Sequence, residues 1–119
     1  MQPIQFHQLP DMTGVTDQHV MTALTAELLA IGYTITVHGG GDEPDYVGTD
    51  LIAIMEAINA VEEAEIVAEH PTDKAAHQFW ALLIPSNGAE CICDHSGSQF
   101  AEDLVNRALL AAVVEATAL

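Results

Sequence analysis

With 119 residues, half of them hydrophobic, the chain is expected to form one domain with a core that needs no metal or cross-link. Eighteen aspartates and glutamates stand against Lys74 and Arg107 alone, giving a formal net charge of −16 with the histidines neutral. Such a surface repels phosphate, which excludes direct binding to DNA, RNA or anionic lipid, and it favours basic proteins and divalent cations.

Pro3, Pro10 and Gly14 among scattered apolar residues read as an extended arm over residues 1–15, with a short strand at Ile4 to His7. The domain proper then spans residues 16–119. From Thr16 the residues Val20, Ala23, Leu24, Leu28 and Ile31 recur at the spacing of one helical face, with Thr16 or Asp17 to cap the start and Gly32 to end it. Tyr33 to His38 alternates apolar with polar and is rich in β-branched types, the pattern of a strand with one wet face.

Gly39-Gly40-Gly41-Asp42-Glu43-Pro44-Asp45 reads as a loop, after which Thr49 or Asp50 caps a helix from Leu51 to about Ala64 with a stripe of Leu51, Ile54, Met55, Ile58 and Val61. Glu65 to His70 is a second strand, stopped by Pro71. Gln78 to Ile84 is a third, apolar on both faces and therefore expected at the centre of the sheet. Pro85-Ser86-Asn87-Gly88 predicts a hairpin turn, because Asn-Gly tolerates positive φ, and Glu90 to His95 returns as a fourth strand. Ser96 or Ser98 caps a last helix running to about Ala118.

The order α-β-α-β-β-β-α predicts an α+β domain: about four strands, mostly antiparallel, with about three helices on one face. Alternation along the strands would place Thr34, Thr36, Glu65, Glu69, Glu90 and Asp94 on the open face. The last helix is apolar around most of its circumference from Leu104 to Val114. A homodimer through the helix containing Leu104, Leu109 and Val113 would bury the excess.

Cys91-x-Cys93-x-His95 puts three potential metal ligands on one side of a strand, with His70 or His77 to complete a site. Zinc cysteines usually come from turns at C-x₂₋₄-C spacing, however, and two small core cysteines beside Ile92 are the simpler reading. The triple glycine has no following Lys and is flanked by Asp42, Glu43, Asp45 and Asp50, which would repel a phosphate. Those carboxylates do not have the spacing of a regular calcium loop. Nothing nominates a nucleophile with its base, so no catalytic residue and no cofactor is expected. Neither the start of the chain nor its apolar runs read as a signal or membrane segment, and two cysteines make no disulfide framework, so a cytoplasmic protein is expected.

Gly32-Tyr33-Thr34-Ile35-Thr36-Val37 with its acidic loop, Phe79-Trp80-Ala81-Leu82-Leu83-Ile84 with Asn87-Gly88, and the return strand ending Asp94-His95 resemble small acidic α/β proteins carried by bacteriophages and prophages. The resemblance implies an accessory protein in the cytoplasm of a bacterial host, with no assigned activity or site residues to carry over. Together with the charge it suggests a non-enzymatic protein that covers a basic, often nucleic-acid-binding surface, in the manner of an inhibitor of host defence. Asp42, Glu43, Asp45, Glu62, Glu63, Glu65 and Glu69 are the expected contacts. A metal-dependent hydrolytic enzyme using the histidines with Cys91 and Cys93, or a structural or assembly protein, are the alternatives.

Overall fold

The computed structural model describes residues 12–73 and 75–117. The strand expected at Ile4 to His7, and most of the expected arm, lie outside them. Residues 12–15 are a turn closed by Val15 N–H donating to the Met12 carbonyl, and it tucks Val15 into the core.

Helix α1 spans Asp17–Ile31. Thr16 caps it by accepting from the His19 N–H, and His19 Nδ1 accepts the Thr16 N–H at 3.0 Å, so an imidazole fills the place a glutamate usually takes in a capping box. Gly32 closes the helix at φ 104°, a left-handed conformation that Cβ-bearing residues disfavour. Strand β1 (Thr34–His38) follows, then a short β2 (Tyr46–Gly48) and helix α2 (Leu51–Asn59), capped by the Asp50 carboxylate accepting the Ile52 N–H. Strands β3 (Ala64–Glu69), β4 (Phe79–Leu83) and β5 (Ile92–His95) precede helix α3 (Gln99–Thr117).

The strands form one antiparallel sheet in the order β2-β1-β3-β4-β5. Five strands thus replace the expected four. The added one is three residues long, too short for alternation to announce it, and it exists because the acidic loop folds back: Asp45 N–H donates to the Val37 carbonyl at 2.8 Å. The centre of the sheet is β3, not the Trp80 strand. Phe79, Ala81 and Leu83 are buried, whereas Trp80 and Leu82 are only half-buried on the other side.

One face of the sheet is packed by the helices, and among the described residues no element covers the other. Ile35, Val37, Ala64, Ile66, Ala68, Phe79, Ala81 and Leu83 are buried with Val20, Leu24 and Leu28 of α1, Ile54 and Ile58 of α2, and Leu104, Ala108 and Ala112 of α3. The helices are tied to one another by Arg107 Nε on Glu27 at 3.1 Å and by the paired side-chain amides of Gln18 and Asn59. The last helix is capped by Ser98, whose hydroxyl accepts the Ala101 N–H.

Two further expectations are corrected. Helix α2 ends at Asn59 rather than near Ala64, so Glu62 and Glu63 sit on a turn leading into β3. Pro85 to Gly88 turns β4 back into β5 as the expected hairpin, but Asn87 has φ −96° and does not take the positive φ expected of it. Positive φ falls instead at Ser86 and Gly88, and a single 3-10 turn at Gly88–Glu90 takes up the slack.

Candidate functional site

Register decides what the open face carries, because residues paired across antiparallel strands share a face and stand roughly 5 Å apart. One row across the sheet reads Val47, Thr36, Val67 and Trp80. The next row, one step toward the end where β3 begins, reads His38, Glu65, Leu82 and Asp94. Toward the opposite end Thr34 pairs with Glu69. Thr34, Thr36, Glu65, Glu69 and Asp94 therefore lie where alternation put them, while Glu90 has left the face for the 3-10 turn. Trp80 and Leu82 join them there, although an apolar run such as β4 is expected to be buried on both sides. They make the face amphipathic rather than simply acidic.

Trp80 is held across the rows. Its indole Nε1–H donates to Glu65 Oε2 at 2.8 Å, so the ring is anchored diagonally toward the acidic row. Trp80 N–H also donates to the Ser96 hydroxyl, and Ser96 N–H to the Trp80 carbonyl, which fixes the backbone beneath the ring.

Next to that row the chain gathers its carboxylates. His38, Gly39, Glu62, Glu63, Glu65 and Leu82 line a shallow depression of about 460 Å³. Gly39 has no Cβ because there is no room for one: a methyl there would overlap the Asp45 carboxylate and meet Val61 Cγ1 at 2.6 Å. That close approach presses the 39–45 loop, with exposed Asp42, Glu43 and Asp45, against the 61–63 turn. Six of the seven expected contacts thus belong to two neighbouring segments at one end of the sheet. Glu69 does not join them. It lies four residues along β3 from Glu65, about 13 Å away, and lines a separate hollow with His70 and Asp73.

No family model, curated protein or solved structure matches the chain.

Cys91, Cys93 and His95 do not converge. Cys91 precedes β5 and is buried, with its thiol 3.8 Å from the Asp17 carbonyl, while Cys93 is exposed at the irregularity where Leu82 pairs with Asp94 but Leu83 with Ile92. The bulge breaks the alternation on which a shared face depended. His95 Nδ1 is engaged with the Ser96 carbonyl at 2.7 Å. His70 Nδ1 accepts the Asp73 N–H, and the His77 ring stacks on Phe100, each in its own surroundings. Among the described residues no group of three or more His, Cys, Asp or Glu side chains is placed to hold a metal ion.

The two thiols should differ sharply in reactivity. Burial pushes the Cys91 thiol up to about 12, and the Asp17 carboxylate acts in the same direction. A thiol-disulfide reagent at about pH 8 is expected to titrate Cys93 alone in the native protein and both cysteines after denaturation, since only the thiolate reacts. Equal rates for both in the folded protein would contradict the placement of Cys91.

Proposed function

We propose that the chain is a non-enzymatic binding protein whose acidic surface covers a basic surface on a partner protein, as a phage-type accessory protein blocking a nucleic-acid-binding site would. The observation that carries this reading is the gathering of Asp42, Glu43, Asp45, Glu62, Glu63 and Glu65 at one end of the sheet, with no Lys or Arg there among the described residues. Like charges held together this way cost folding stability, and a basic partner relieves the cost. Among the described residues one ion pair forms, Arg107 with Glu27 on the helical side, away from this cluster. No helix there is long and apolar enough to cross a membrane.

Fluorescence anisotropy with labelled nona-arginine as the probe tests the reading. Binding is expected at about 50 mM salt and should weaken at least about tenfold by about 300 mM, as contacts between exposed charges are screened. Absence of binding at the lower salt would overturn it.

Self-association is a second part of the proposal. Leu104 is fully buried within its own domain and cannot serve a dimer, and Leu109 and Val113 pack partly against the core. What α3 leaves outward is Leu110, 44% exposed, and Val114, 67% exposed. A dimer through these two brings like charges together, so it should strengthen as salt rises, opposite to the partner contact. Sedimentation at low and high salt, at tens of micromolar, checks this. A 12.7 kDa monomer in both conditions would remove the dimer from the account.

A further inference from the structure

The open sheet face carries more than charge. Val47, Val67, Trp80 and Leu82 form an apolar ledge that the helices do not cover, rimmed by Glu65, Glu69 and Asp94. A half-buried aromatic on an open antiparallel sheet face would suit a stacked nucleobase, but a phosphate backbone following that base would run into the rim. The same rim suits a cation. Trp80 offers the aromatic type that attracts cations most strongly, and its bond to Glu65 Oε2 fixes the ring beside a carboxylate whose other oxygen has no partner among the described residues.

We propose that this face takes an arginine-bearing segment of the partner protein, with a guanidinium stacked on the Trp80 indole and paired with Glu65, and the flanking basic residues directed toward Glu62 and Glu63. Arginine is favoured over lysine because a planar, weakly hydrated guanidinium can stack on the indole and donate to a carboxylate at the same time. The aliphatic stems of such a segment would cover Val67 and Leu82. This inference rests on the binding of a basic protein proposed above and adds where the segment lies and which side chain it presents.

Trp80 is the only tryptophan, so its emission reports on this face alone. Nona-arginine and nona-lysine are titrated at low salt into the whole chain, with peptide anisotropy and Trp80 emission read together. The emission is expected to change in step with nona-arginine anisotropy, and nona-arginine should bind about three- to tenfold tighter than nona-lysine. Trp80→Leu, with circular dichroism to check folding, should erase that preference while leaving the salt-dependent binding of nona-lysine. Binding by anisotropy with unaltered Trp80 emission would overturn the face and leave the basic-partner reading standing. No binding of either peptide would overturn both. Should the leucine variant fail to fold, the emission and the peptide preference of the unaltered chain still decide.

Discussion

Phe79→Ala should lower the stability of the folded chain by about 3–5 kcal/mol, the usual cost of emptying a phenylalanine site in a packed core. Phe79 is fully buried on the helix-covered face and pairs with Ala68 of the central strand. Ala68 opposite it and Ala81 next on the buried side of its own strand are too small to collapse into the space it leaves. For an ordinary domain with about 5–15 kcal/mol in hand this is a large fraction of the total, and a fall in melting midpoint of about 10–20 °C is expected. Trp80→Ala removes a larger side chain from the adjacent residue, yet it should cost clearly less, because Trp80 is half-buried on the open face. Thermal denaturation of the two variants side by side checks the assignment of faces. Equal losses would mean that Trp80 is covered as fully as Phe79.

Glu62→Gln, Glu63→Gln and Glu65→Gln in one chain should weaken nona-arginine binding by about threefold to about 150-fold, since each exposed charge contact contributes roughly 0.2–1 kcal/mol. Glutamine at 65 keeps a carbonyl to accept from the Trp80 indole, so the ring stays anchored and the loss reports charge. Thermal stability should hold or rise slightly, because the substitutions relieve repulsion among neighbours on the 61–65 segment. Glu102→Gln, Asp103→Asn and Glu115→Gln on α3 remove as much charge from exposed positions elsewhere and serve as the comparison. That variant should lose little affinity. Equal losses from the two variants would show that the probe reads total charge rather than a site.

Much of this architecture was legible from local pattern. Thr16, Gly32, Asp50 and Ser98 mark helix ends through side-chain and glycine chemistry that acts within a few residues, and each ends its helix as expected. The alternation in Thr34–His38 gave the burial of Ile35 and Val37 directly. What escaped depends on contacts between distant segments. Strand β2 forms only because the acidic loop returns to β1, and the order of strands that makes β3 central is set by pairing that no single strand announces. An apolar run such as Phe79 to Leu83 reads the same whether both faces are covered or one is left open.

The site was legible in its residue types but not in its grouping. Charge pointed to seven carboxylates, and six were brought together by the absence of a Cβ at Gly39 and the early end of α2 at Asn59. Glu69 was lost to the other end of a strand on the same face as Glu65. Cys91 is a core residue as expected but Cys93 is exposed, because the 3-10 turn and the bulge break the two-residue period, and the same break parts Cys91, Cys93 and His95. Trp80 carried a signal that could have been used: alternation with buried Phe79 and Ala81 puts its ring opposite them, toward the acidic residues of β3.

The claim that the acidic end of the sheet is a docking surface for a basic protein is tested most directly by amide NMR spectra of the intact chain titrated with nona-arginine. Shifts are expected to concentrate at residues 38–45, 61–67 and 80–82, with α3 around Glu102, Asp103 and Glu115 little changed. Shifts spread evenly over every acidic segment, α3 included, would contradict that claim.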